Sequence, residues 1–266
     1  MLKALFVCIL MYSSVLFAKD VLVFAPLPMV DRAKVYNTFY PMIQLLEKKL
    51  NKKIEIFYSD DYEQILDEFK KSKIDIAYLG PLPYVKLKES YESVYPMVHF
   101  KDQTGSSLYT CSFVRFLNNT KIERIALTQP LSTCGYLSVN NLLNNKLENY
   151  KYKYLGKHDE VALSILRGDF DAGGLKTSVA KEYFHLGLEE ISQTPNLPGF
   201  ALVGNSNNLS LEYLEEIKKA LLEIEKETYS KWDKDIKYGV EPASDADYEN
   251  LRKMMKNVVI PTKDKN

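Results

Sequence analysis

The segment Pro130-Leu-Ser-Thr-Cys-Gly-Tyr136 sets two hydroxyls, Ser132 and Thr133, beside the expected start of a helix near Gly135. A short strand-like run, Arg124-Ile-Ala-Leu127, leads into it. The first turn of a helix leaves backbone N–H groups without intrahelical partners. Free N–H groups, hydroxyls and the positive end of a helix dipole together suit an anion, above all an oxyanion with several acceptor oxygens. Taken locally, the same residues also fit an ordinary Ser/Thr N-cap, so S-T-x-G is a weak signal alone.

The N-terminus points to export. Met1-Leu-Lys3 is a short positive start, Ala4 to Phe17 is apolar, and Ala18 precedes Lys19-Asp20. That is the layout of a secretory signal peptide, residues 1–18, with cleavage expected after Ala18. Leu16 departs from the small residue usual at −3. The run is short of the roughly 20 apolar residues that span a membrane. Cys8 lies too early in it to be a good acylation point. The mature protein is expected to be soluble and periplasmic.

The 266 residues allow one large domain or two small ones, and 46% apolar residues suffice for a core. Lys+Arg and Asp+Glu are both 35, so the net charge is zero; losing Lys3 makes it 34 against 35, or −1. The basic excess of a nucleic-acid protein is missing, so no nucleic-acid partner is expected. Cleavage leaves Cys111 and Cys134, and the sequence does not say whether they pair. There is no CxxC, HExxH or clustered His, so neither a metal site nor a cofactor is expected.

Strands and helices alternate. Val21 to Ala25, Ile54 to Phe57 and Ile74 to Tyr78 read as strands, the third ended by Gly80-Pro81. Tyr36 to Leu50 and Tyr62 to Lys71 carry helical apolar stripes, the second capped by Asp60 or Asp61. This βαβαβ order implies a largely parallel sheet with ligands at the strands' carboxyl ends. Ser93 to Phe100 and Leu108 to Phe116 look like longer strands. A second alternating set follows: strands 124–127, 151–154, 170–173 and 189–192, with helices 135–143, 159–166 and 179–185. Phe200 to Val203 is another strand, and Ser210 caps a long helix from Leu211 to about Glu227.

The expected fold is therefore α/β and two-lobed, like a type II periplasmic binding protein, with a ligand cleft between the lobes. Residues 20–106 plus 203–266 would form a discontinuous first lobe and 107–202 the second. Two chain crossings between lobes are the geometry of hinge closure.

Several motifs resemble the phosphate/phosphite/phosphonate-binding proteins of ABC transporters, the PhnD-like family of substrate-binding proteins. They are Asp61-Tyr62, Asp75-Ile-Ala-Tyr-Leu-Gly-Pro81 with Tyr84-Val85, Gly105 followed by Tyr109, the Pro130–Tyr136 segment, His158-Asp159-Glu160, and Gly168-Asp-Phe-Asp-Ala-Gly173. Each is modest alone; their order and spacing carry the resemblance from about Val21 to Val203.

The resemblance implies a receptor that carries a small oxyanion to a membrane permease, with no catalytic residue, no cofactor and action as a monomer. It implies that Ser132 and Thr133 bind the phosphorus oxygens, with Gly135 completing the loop. Cys134 stands where relatives often have a hydroxyl and would be a much weaker donor. Tyr62 and Tyr109 match ligand-reaching tyrosines, although with 19 tyrosines in the chain packing is an equal reading. His158 matches a ligand-contacting histidine; protonated, it would tighten anion binding at lower pH.

Relatives that take aminoalkyl-phosphonates use acids near the later strands. Here Lys176-Thr-Ser-Val179 and Thr194 to Phe200 stand there, with Phe200 about where one carboxylate would be. Phosphate, phosphite or methylphosphonate fits better than an amine-bearing ligand. Asp171 reads as a strand-end residue rather than a pocket acceptor. The alternatives are a receptor for another organic anion or a sulfonate, and a chorismate-dehydratase-like enzyme, which would be cytosolic. A sensor module would continue into a transmembrane segment.

Overall fold

The computed structural model describes residues 19–29 and 31–266. The expected signal peptide, residues 1–18, lies outside them.

The chain opens with β1 (Val21–Pro26), α1 (Arg32–Leu50), β2 (Lys53–Ile56), α2 (Tyr62–Lys70), β3 (Ile76–Leu79), α3 (Pro81–Ser90) and β4 (Val94–Phe100). A short strand β5 (Leu108–Tyr109) then leads to β6 (Cys111–Phe116), β7 (Arg124–Leu127), α4 (Tyr136–Leu142), β8 (Lys151–Tyr154), α5 (His158–Leu166), β9 (Ala172–Lys176), α6 (Thr177–Tyr183) and β10 (Leu188–Gln193). The chain returns through β11 (Leu197–Pro198) to β12 (Ala201–Asn205), α7 (Leu211–Leu222), α8 (Lys226–Tyr229), β13 (Val240–Pro242) and α9 (Glu249–Met255).

These strands build two sheets. The first runs β13-β4-β12-β3-β1-β2 and the second β10-β6-β9-β7-β8. In the first, β2, β1 and β3 are parallel, while β12 and β13 pair antiparallel with their neighbours. In the second, β8, β7 and β9 are parallel and β6 and β10 antiparallel. The two crossings lie side by side: β5 and β11 pair antiparallel, with Leu197 opposite Tyr109. The architecture is the two-lobed α/β binding-protein fold.

Local chemistry explains most boundaries. α1 begins four residues before the expected Tyr36, because Asp31 caps it and accepts from Lys34 N at 3.0 Å. It stops where Asn51 turns left-handed at φ 49°. Val35, Phe39, Met42, Ile43 and Leu46 bury its inner face against the first sheet. Asp61 caps α2 by accepting from Glu63 N at 2.8 Å.

Four expectations need correction. Gly80-Pro81 ends β3 as expected but also opens a helix that was not expected: Gly80 is the N-cap of α3 and Pro81 its first residue, where a missing N–H costs nothing. The strand expected over 108–116 is interrupted at Thr110, where the crossing ribbon gives way to the second sheet. The strand expected over 170–173 runs from Ala172 to Lys176, because five residues of β6 pair with it. The long helix ends at Leu222, and a separate turn, α8, follows.

The C-terminal tail divides between the sheets. α9 contacts both α3 and α4. Beyond it, Lys265 pairs with Tyr152 of β8, and Tyr154 donates its N–H to Asp264 Oδ1 at 2.9 Å and its hydroxyl to Pro261 O at 2.6 Å. Hydrophobic burial is also continuous between the sheets, since Tyr62, Leu82, Cys134, Leu137 and Leu197 belong to one cluster.

Candidate functional site

Ser132 and Thr133 lie in the loop between β7 and α4, and both are buried. The loop is tightly wound: Ser132 N donates to Gln129 O at 2.9 Å and Gly135 N to Ser132 O at 3.0 Å. Ser138 Oγ fastens its far end by donating to Thr133 O at 2.6 Å. Among the described residues, the N–H groups of Thr133 and Cys134 have no hydrogen-bond partner. α4 has seven residues, so these two amides and the hydroxyls, rather than a long dipole, give the loop its donor character.

A disulfide holds the loop from below. Cys134 is bonded to Cys111 at the start of β6, with Cα atoms 5.1 Å apart. This settles the pairing that the sequence left open. It also corrects the expectation of a weak thiol donor, because a disulfide sulfur has no S–H. Behind the loop runs β9, where Gly174 is required: a Cβ there would meet Cys134 O at 2.4 Å.

Facing the loop is the start of α2. Tyr62 N donates to Gln129 Oε1 at 3.0 Å, and Gln129 Nε2 donates back to Asp60 O at 2.9 Å. The start of α3 also reaches over, with Leu82 N donating to Thr133 Oγ1 at 3.0 Å. The phenols of Tyr62 and Tyr109 are raised above their ordinary pKa by burial, so both stay protonated donors.

His158, the first residue of α5, is buried and accepts from Lys176 N at Nδ1, 3.2 Å. Its proton is therefore on Nε2, a neutral donor for the cavity. Burial, with Lys176 adding to it, pulls its pKa down to about 3. The expectation of a protonated histidine that tightens binding at lower pH is corrected: the desolvated imidazole stays neutral across the physiological range.

These groups meet around one small cavity of about 10 Å³, room for a single water-sized molecule. Of the seven residues expected from the sequence, Tyr62, Tyr109, Ser132, Thr133, Cys134 and His158 line it. Gly135 does not. Its N–H is spent on Ser132 O, and a Cβ on it would meet Gln129 O at 2.9 Å, so this glycine serves the turn. Asp171 is elsewhere, accepting from Arg124 N at 2.8 Å and pairing with the Arg124 guanidinium.

The sequence reading set the Lys176 and Phe200 segments near the ligand but named neither as a site residue. Lys176, the last residue of β9, and Phe200, just before β12, also line the cavity. Lys176 Nζ lies 5.1 Å from the Phe200 ring centre and 5.6 Å from that of Tyr109. Burial lowers its pKa, while Asp235 and Asp102 oppose that shift. Among the described residues lining the cavity, Lys176 supplies the one cationic side chain and there is no carboxylate. A strand end at Lys176 instead of Gly173 was the signal that would have found it.

A two-lobed α/β scaffold with buried donors facing each other between its sheets defines the class of periplasmic substrate-binding proteins. The family model for the ABC transporter, phosphonate, periplasmic substrate-binding protein matches residues 24–248, and the chain belongs to that family. The phosphate-import protein PhnD of Mycolicibacterium smegmatis is 22% identical over 271 residues, covering 88% of this chain and 84% of that one. PhnD1 of Prochlorococcus marinus, solved in complex with methylphosphonate, superposes with a TM-score of 0.76 at 18% identity, covering 89% of this chain and 97% of that one. A binding-protein component of a phosphonate ABC transporter from Pseudomonas aeruginosa gives a TM-score of 0.74 at 17% identity, covering 88% and 85%. At those identities the two structures establish the shared fold.

Proposed function

We propose that this protein captures a small phosphorus oxyanion, namely phosphate, phosphite or a simple phosphonate, in the cleft and delivers it to a membrane permease. The observation that carries this reading is the cavity wall: two hydroxyls, two phenols, a neutral imidazole and an ammonium converge, and no carboxylate opposes them. Such a wall can donate several hydrogen bonds to one multi-oxygen anion, and bonds to a charged acceptor are the stronger ones. The relatives named for phosphate import and phosphonate transport agree with it.

The lobes we propose are those read from the sequence, 20–106 with 203–266 and 107–202, with the second boundary moved to Ala201, where β12 joins the first sheet, and with residues 257–266 reaching over to the second sheet. Hinge motion at the β5–β11 ribbon would open the cleft, and Tyr109 sits on that ribbon. A phosphorus oxyanion needs more room than this small cavity offers, so the lobes would part to admit it. Cleavage after Ala18 would keep Lys19, whose Nζ pairs with the buried Asp75 at 2.9 Å. We propose that the mature, periplasmic form acts as a monomer.

The test is a thermal-shift titration of residues 19–266, first stripped of bound ligand, with phosphate, phosphite, methylphosphonate, sulfate and taurine. A ligand at a hundredfold excess over its Kd stabilises the folded state by about 2.7 kcal/mol. Stabilisation by a phosphorus oxyanion, abolished in Ser132→Ala, is the expected result. A response to sulfate or taurine alone would overturn the phosphorus reading in favour of another anion.

A further inference from the structure

We propose that Lys176 sets the charge of the ligand: the site takes compact oxyanions without a cationic substituent and rejects aminoalkyl-phosphonates. This rests on the receptor reading above and adds a specificity-determining residue to it.

Three observations carry the assignment. First, Lys176 lines the same small cavity as Ser132 and Thr133, so one compact ligand reaches the anion loop and the ammonium together. Second, the ammonium is held in place. Its Nζ sits among the faces of Phe200 and Tyr109, and Phe200 is itself stacked on Tyr78 with ring centres 5.1 Å apart. Cation–π contact of this kind orients an ammonium without neutralising it. Third, no carboxylate among the described residues forms a salt bridge with it, and Asp235 and Asp102 act on it as longer-range charges.

An ammonium in that position is a two-way device. It strengthens the hold on an anion by a charge-assisted hydrogen bond. It also opposes any ligand that carries its own ammonium, because like charges brought together out of water are costly, and rejection of the wrong partner is half of specificity. The β9 backbone adds a link: the Lys176 N–H fixes the imidazole of His158, so one residue positions a neutral donor and supplies the positive charge.

Isothermal titration calorimetry with inorganic phosphate, methylphosphonate and 2-aminoethylphosphonate tests this on the wild type, Lys176→Met, Lys176→Arg and Lys176→Glu. Lys176→Met keeps the stem's packing and is expected to weaken phosphate and methylphosphonate binding roughly 10- to 100-fold, the range for one hydrogen bond to a charged group. Lys176→Arg should retain most of the affinity. Lys176→Glu should reverse the order, so that 2-aminoethylphosphonate binds more tightly than methylphosphonate. Thermal melts of each variant separate lost folding from lost binding, and the reversal of ligand order is a readout that a packing role would not move. Phosphate binding that Ser132→Ala abolishes but Lys176→Met leaves unchanged overturns the assignment and leaves the receptor intact. A wild type that binds none of the three overturns the receptor reading itself. Tight binding of 2-aminoethylphosphonate by the wild type overturns the charge rule.

Discussion

The N–H of Leu82, in the first turn of α3, donates to Oγ1 of Thr133 at 3.0 Å, joining the elements of the first sheet to the anion loop of the second. An acceptor used this way leaves the Thr133 hydroxyl hydrogen free to donate. The same side chain can thus report closure and contact a ligand. Thr133→Val removes both functions and leaves the buried Leu82 N–H unpaired. Phosphate affinity in calorimetry should fall roughly 10-fold or more, about 1.4 kcal/mol, whereas Thr133→Ser should keep most of it. Unchanged affinity in the valine variant would remove Thr133 from the site.

His158 makes a pH prediction with a definite sign. Its folded pKa is about 3 against an ordinary 6.5, so the unfolded chain takes up a proton that the folded chain refuses. The stability it contributes is complete above pH 6.5 and is lost as pH falls toward 3. The melting temperature should decline across that window in the wild type and more shallowly in His158→Gln. A second consequence concerns binding. Phosphate affinity should not rise through protonation of this residue between pH 7 and pH 5, and a rise that vanishes in His158→Gln would contradict a neutral imidazole.

The Cys111–Cys134 disulfide spans 23 positions and anchors the anion loop to β6. Closing a loop of this size contributes about 3 kcal/mol by restricting the unfolded chain. The double variant Cys111→Ala, Cys134→Ala should melt on the order of 10 °C lower. It should also bind phosphate more weakly, because Ser132 and Thr133 lose their tether. A melting temperature insensitive to both the double variant and a thiol reductant would show that the two sulfurs are not bonded in solution.

Gly174 gives a steric test. Its missing Cβ leaves room for Cys134 O and for Val139 Cγ2, each of which a methyl would meet at 2.4 Å. Gly174→Ala should therefore cost about 1–3 kcal/mol through overpacking and push the loop out of position. The expected signature is a phosphate affinity that falls further than the melting temperature alone would account for. A variant with native affinity would show that the loop does not depend on β9 for its place.

Much of the scaffold was readable because it follows from short-range chemistry. Alternation of Val21–Pro26, α1, β2, α2 and β3 is written in apolar periodicity and in caps such as Asp61 and Ser210. The errors share a cause. Gly80-Pro81 looks like a break, yet proline at a first helical position is a start signal, and α3 follows. Gly173-Gly174 looks like the end of a strand. The strand continues to Lys176 because the glycines are there for close approach: a Cβ on Gly173 would meet Val161 Cγ1 at 2.6 Å.

The order of motifs in the chain was enough to determine the two-lobed class, the export signal as an expectation, and the loop Pro130–Tyr136 as the place to look for an anion. Those features depend on neighbours a few residues apart and on the sequence of elements. The missing acids near the later strands were legible in the sequence, but the placing of the Lys176 ammonium in the cavity was decided by tertiary structure. Tyr109 comes from the start of the second lobe's segment and Lys176 and Phe200 from its later part, and only the crossing of the chain at β5 and β11 brings the three together. The neutrality of His158 and the bonding of Cys134 to Cys111 belong to the same category. Burial, and the distance between residues remote in sequence, exist only once the chain has closed on itself.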